Sequence, residues 1–282
     1  MRHIGADCFF QVIETFANFV KLRDINMIHW IRFEHAGQVK IGTLHEESIT
    51  VHVGDMFGGA SPTSEVVSLS EVKVLTPTDA SKMVALWNNS YAVAAKLDLS
   101  TPEEPLYFLK SNSSFLAPGE AIRRPKSYDG RIIFEGELGI VIGQSCGAVS
   151  EADAEEFIFG YTCVNDVTAV ELIHKDESFA QWTRAKGFDT FGPFGPAIAT
   201  GLDPAGLTIR TILNGRERQN YSTSDLIFAP SRLVSLVSRD LTLFPGDIIS
   251  CGTSLSAGPM KPGSTIEVVI DHIGRLTNSF ER

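Results

Sequence analysis

The sequence has no run of about 18 consecutive apolar residues, the length a membrane-spanning helix needs, so no transmembrane segment is expected. It has no CxxC pair. Its four cysteines, Cys8, Cys146, Cys163 and Cys251, lie far apart, and with no secretory signal they read as reduced, buried thiols. It lacks a basic excess: 24 Lys and Arg face 34 Asp and Glu, for a net charge of −10. That balance argues against general nucleic-acid binding, whose affinity rests on a basic footprint. An anionic substrate would need local positive charge. There is no internal repeat, and the expected compartment is the cytoplasm. What remains is a globular chain of 282 residues, 43% hydrophobic and 21% charged, long enough for one large domain or a large and a small one.

The most informative stretch is Phe134 to Gly143, FEGELGIVIG. Side chains alternate across a strand. Ile132, Phe134, Leu138, Ile140 and Ile142 therefore share an apolar face, and Ile133, Glu135, Glu137 and Val141 the other. A strand apolar on both flanks reads as buried on both sides, where Glu is disfavoured. Two adjacent buried acids must be neutralised by a raised pKa, by basic partners or by a cation. A hard divalent ion such as Mg²⁺ or Ca²⁺ suits oxygen ligands. The alternative is a solvated sheet edge carrying ordinary surface acids.

Along the chain, residues 1–26 carry apolar side chains at near-helical spacing and predict an amphipathic helical extension. Residues 27–75 read as a small β unit of alternating segments, with turns at Ala36-Gly37 and Gly54-Asp55. Residues 76–282 form the larger unit. Within it the pattern predicts a helical segment from Ser81 through Leu97 and a strand LYFLK ending at Lys110. A capped helix over 151–159 ends at Gly160, a strand YTCVN delivers Asp166, and 168–175 looks helical. Residues 188–196 read as irregular backbone, Asn214-Gly215 as a hairpin turn, and the tail as short strands and turns. The fold class is α+β and strand-rich.

This order of features resembles the fumarylacetoacetate hydrolase family from about Ile28 to Asn278. The family's E-x-E followed some thirty residues later by N-D is met by Glu135, Glu137 and Asp166. Its K-x-F-D-T-F-x-P-x-G-P is met by Lys186, Phe188, Asp189, Thr190, Phe191, Pro193, Gly195 and Pro196. Its P-G-D and G-T pairs are met by Pro245, Gly246, Asp247, Gly252 and Thr253. The resemblance implies a mixed β-roll catalytic domain, a homodimer, and a Mg²⁺ (or Mn²⁺ or Ca²⁺) site at Glu135, Glu137 and Asp166. It further implies a catalytic Lys186 and substrate contacts at Lys110, Gly252 and Thr253.

Two departures bear on the reaction. Hydrolytic members carry N-Y-x-x-H-x-x-E, whose His and Glu activate water. Aligned on Asn89, this chain has Val93 and Lys96 there; aligned on Tyr91, it has Ala94 and Leu97. Where the family often has Arg and Gln after N-D-V, it has Val170 and Ile173. Glu171 and His174 are the nearby candidates for a proton relay. The resemblance therefore implies a metal-dependent enzyme of carbon (aromatic-compound) catabolism. Its substrate would be a small anionic 2-oxo or 1,3-dicarbonyl acid, decarboxylated or isomerised through an enolate. The alternatives are C–C bond hydrolysis and a metal-holding relative without turnover.

Overall fold

The computed structural model describes residues 27–282; the helical extension expected over 1–26 lies outside the described residues. Strands dominate. The largest sheet runs, in spatial order, Ser61–Ser68, Ser48–Val53, Gln38–His45, Ile28–His35, Gly192–Thr200, Ile158–Asn165, Gly136–Ile142, Ile248–Ser250, Met83–Trp87 and Leu106–Lys110. A second sheet is ordered Arg216–Ser222, Thr208–Leu213, Ser264–Ile270, Gly274–Glu281 and Ala121–Arg123. The architecture is the strand-rich, mixed-sheet α+β fold that the sequence pattern implies. No described helix is long and apolar enough to cross a membrane.

The small N-terminal β unit is a four-stranded meander with its own core of Ile31, Phe33, Ile49, Val51 and Val67. It is not a separate sheet. Ile28–His35 pairs antiparallel with Gly192–Thr200, matching Ile28 to Thr200 and Trp30 to Ile198. The expected turns at Ala36-Gly37 and Asn214-Gly215 form on residues with positive φ, and Gly54 of the third expected turn also has positive φ.

Every residue of Gly136–Ile142 is buried, as a strand apolar on both flanks should be. Leu138, Ile140 and Ile142 pack in the main core, and Val141 packs on the opposite side with Met83, Val164 and Phe194. The stretch is nonetheless two strands. Ile132–Phe134 belongs to a small sheet over a different core, and Glu135 sits at the break.

Several elements differ from the sequence pattern. The helix expected from Ser81 is confined to Tyr91–Leu97, because Met83–Trp87 is drawn into the sheet interior, with Met83, Val84 and Ala85 fully buried. The helix expected over 151–159 shrinks to a 3₁₀ turn, Ala154–Phe157. Gly160 ends no helix: it lies inside Ile158–Asn165, where a Cβ would meet the carbonyl oxygen of Ala199 at 2.4 Å. Residues 168–175 give only a 3₁₀ turn, Val170–Leu172. The irregular backbone ends at Phe191, and Gly192–Thr200 is a strand. The tail hides a helix, Pro230–Asp240, with Pro at its first turn and Leu233, Val234 and Val237 buried on one face.

Candidate functional site

The site begins at the break between Ile132–Phe134 and Gly136–Ile142. Glu135 and Asp166 are locked together through backbone: the Asp166 N–H donates to the Glu135 carbonyl at 2.8 Å, and the Glu135 N–H donates to Asn165 Oδ1 at 3.0 Å. Gly136, between the two glutamates, has no room for a side chain, since a Cβ would lie 2.3 Å from Thr211. One residue later Glu137 points from a fully buried strand. Glu135, Glu137 and Asp166 are thereby brought together, with one carboxylate oxygen from each within 4.8 Å of the others.

Two buried lysines face them. Lys186, at the end of the helix Trp182–Lys186, binds both Glu135 and Asp166, with 2.5 Å to Asp166 Oδ2. Lys110 is 1% exposed and donates to Asp166 Oδ1 at 2.5 Å and to the Lys186 carbonyl at 2.6 Å. It is thus neither a solvated strand-end lysine nor open to a substrate as the resemblance implied; its ammonium is committed to Asp166. The Phe108 ring lies 5.1 Å from the Lys186 ammonium.

Gly252 and Thr253 are also committed. The Gly252 N–H donates to Glu137 Oε2 at 2.8 Å, and Ser250 Oγ donates to the same oxygen at 2.6 Å. Gly252 adopts φ 87°, and a Cβ there would crowd Asn89 at 3.2 Å, so glycine is what lets the N–H reach the carboxylate. Thr253 donates its hydroxyl to the Gly136 carbonyl at 3.0 Å and receives Gln219 Nε2 at 2.9 Å. Glu171 holds Arg131 through Oε1 at 2.6 Å and accepts from Tyr128. Desolvation pushes its pKa up, but the bonds from Arg131 and Tyr128 outweigh it and hold the group at about 2. His174 is exposed, with its ring 6.4 Å from Trp182. No hydrogen bond among the described residues joins Glu171 or His174 to the three carboxylates. Asp247, from the P-G-D turn, is a buried anchor holding Lys82 and the backbone of Ser81.

Sequence reasoning missed Ser250, Asn165 and Gln219, which orient the acids or their backbone. Asn165 was legible as the partner of Asp166 in N-D. Ser250 and Gln219 reach the site from distant strands and leave no local signal.

Three carboxylates against two lysines leave one negative charge uncovered. Glu137 is the carboxylate left without a lysine: among the described residues it forms no ion pair, and it accepts from Ser250 and Gly252. Burial first, then repulsion from Asp166, push its pKa up to about 8, against the attraction of Lys186. Burial likewise raises Glu135, whereas the two lysines outweigh burial and lower Asp166. Burial would lower Lys186, but Asp166, Glu135 and Glu137 together raise it, so it stays cationic. An all-oxygen donor set with an uncompensated carboxylate fits a hard divalent ion. Because that ion competes with a proton on Glu137, its apparent affinity should rise with pH until about 8 and level off above it. Mn²⁺ titrations in buffers of different ionisation enthalpy will count the proton released, which should approach one per ion below pH 8. A pH-independent affinity would contradict this.

Residues 82–281 match the fumarylacetoacetate hydrolase C-terminal domain, and residues 28–77 match the Rv2993c-like N-terminal domain. The chain is 41% identical over 229 residues to protein Rv2993c of Mycobacterium tuberculosis, covering 80% of this chain and 85% of that one. It is 33% identical over 231 residues to the oxaloacetate tautomerase YisK of Bacillus subtilis, covering 77% and 76%. The crystal structure of 2-hydroxyhepta-2,4-diene-1,7-dioate isomerase from Mycobacterium marinum superposes with a TM-score of 0.83 at 37% identity, over 90% of this chain and 98% of that one. With 82–281 matched to the family's defining domain, this chain belongs to the fumarylacetoacetate hydrolase family.

Proposed function

We propose that the chain is a divalent-metal-dependent enzyme that promotes keto-enol exchange or decarboxylation of a small anionic 2-oxo or 1,3-dicarbonyl carboxylic acid. The observation that carries this reading is the makeup of the site. Among the described residues, the titratable side chains bonded there are three carboxylates and two lysines, with no histidine to act as a base. An ion held by Glu135, Glu137 and Asp166 would supply a Lewis acid that stabilises negative charge on the substrate oxygen, Mg²⁺ being the first choice and Mn²⁺ or Ca²⁺ the others. Lys186 remains cationic beside Glu135 and Asp166 and is the group positioned to orient an anionic substrate. Lys110 pins Asp166 to the backbone of Lys186, so the acids and the lysine keep one geometry. Oxaloacetate tautomerase activity in one relative and dienedioate isomerase activity in another support enolate chemistry.

Keto-enol exchange moves one proton between carbon and oxygen, and decarboxylation releases CO₂ and returns a proton to carbon. Neither needs an activated water, whereas hydrolysis does. On the helix Tyr91–Leu97, Val93 is half-buried and Lys96 exposed, at the positions where hydrolytic members carry His and Glu. The test measures kcat/KM for oxaloacetate enol-keto exchange, oxaloacetate decarboxylation and acetylpyruvate hydrolysis, with Mg²⁺ and with EDTA. The first or second should dominate and vanish with EDTA. The double variant Val93→His, Lys96→Glu should raise hydrolysis by about 10²-fold, the lower end of what general base catalysis contributes. Efficient hydrolysis by the natural chain, unimproved by the substitutions, would refute the reading.

A further inference from the structure

A separate cavity of about 440 Å³ is formed by two segments, residues 123–126 and 187–190. None of the three clustered carboxylates lines it. Its size falls within the range of small-molecule sites. Its charge is unusual for a chain of net charge −10: Arg123, Arg124 and Lys126 line it, against Asp189 alone. Arg123, Lys126 and Asp189 are exposed, and among the described residues none of the three forms an ion pair. Opposite charges therefore share one cavity without neutralising each other, which leaves room for a molecule between them.

The walls are fixed beforehand. Arg124 donates through Nη1 to the Gly130 carbonyl at 2.8 Å and lies over the Phe280 ring at 5.6 Å, which sets its guanidinium in place and leaves other N–H donors free. The Arg123 backbone N–H donates to Thr190 Oγ1 at 2.8 Å, tying the two segments together. Thr190 holds φ at 70°, a left-handed conformation that a β-branched residue rarely adopts and that tends to mark ligand-contacting backbone. Its hydroxyl hydrogen remains available to donate.

We propose that this cavity is a binding site for a small hydroxylated organic phosphate. Three cations lining one cavity match a tetrahedral dianion, which takes donors from several directions; a single carboxylate is satisfied by one arginine fork. Asp189 then accepts from a hydroxyl on the same molecule, which gives the hydroxylated ester an advantage over inorganic phosphate.

Calorimetric titration of the full chain with glycerol 3-phosphate, inorganic phosphate and succinate tests the site. Glycerol 3-phosphate should bind tightest. The double variant Arg123→Gln, Lys126→Gln should weaken it by about tenfold or more for each cation removed, the effect of losing one charged hydrogen bond. Arg216→Gln with Arg239→Gln removes equal charge elsewhere and should leave binding unchanged. Asp189→Asn should abolish the preference for the ester over inorganic phosphate. Mn²⁺ binding measured on each variant reports that the fold is intact. Undetectable binding of both phosphates, tighter binding of succinate, or an affinity that survives loss of Arg123 and Lys126 would each overturn the assignment.

Discussion

Glu137→Gln should abolish divalent-ion binding and turnover while leaving the metal-free fold almost unchanged. With a pKa pushed up to about 8 by burial and by Asp166, Glu137 in the metal-free chain is largely protonated at neutral pH. A neutral amide of the same shape therefore replaces a neutral acid. Its oxygen can still accept from Ser250 Oγ and the Gly252 N–H, so the Tm should move little. The metal sees a different change, because Gln can never supply the negative charge that a hard ion draws from its ligand set. Affinity should fall by more than about 100-fold, the upper end of what substitutions outside the ligand set cost. Mn²⁺ calorimetry and thermal denaturation on the same preparation separate the two effects. Unchanged Mn²⁺ binding would remove Glu137 from the site.

A large loss of stability is expected of Asp166→Asn. Asp166 is fully buried and bonded to Lys110 on one oxygen and Lys186 on the other, and the lysines hold its pKa below the ordinary carboxylate value despite burial. Removing its charge strands Lys110, which is buried and among the described residues forms an ion pair with no other acid. Breaking a buried pair from one side costs roughly 3–5 kcal/mol, on the order of 10 °C in Tm for a chain of this size. Adding Lys110→Met should recover part of that loss, because the stranded charge leaves with its partner. Melting curves of the two single variants and the double variant check this. Additive losses would show that Lys110 and Asp166 do not stabilise each other.

The site was more legible than the secondary structure. Two acids in an otherwise apolar strand contradict the pattern around them, and such contradictions mark functional positions because burial of charge needs a stated reason. Glu135 and Glu137 stood out for that reason, Asp166 and Lys186 only through the family resemblance, and the structure brings their charged groups together. Lys110 was harder. In the sequence it ends a strand and looks solvated, and only the packing of residues 83–87 and 186 around it makes it interior. The helices over 151–159 and 168–175 failed because local capping and spacing cannot register a sheet: Gly160 must let the Ala199 backbone pass, whatever its neighbours prefer. Pro230–Asp240 was missed although Pro at its first turn and apolar residues at 233, 234 and 237 carry the signal. There, turn-rich flanks masked a short amphipathic period.

The edgewise joining of the N-terminal meander to Gly192–Thr200 makes the two family domains interdependent. Ile28–Trp30 pairs with Ile198–Thr200, the end of that strand farther along the chain from Lys186. The meander thus covers backbone donors and acceptors at residues 198–200 that would otherwise be open to pairing with foreign chains.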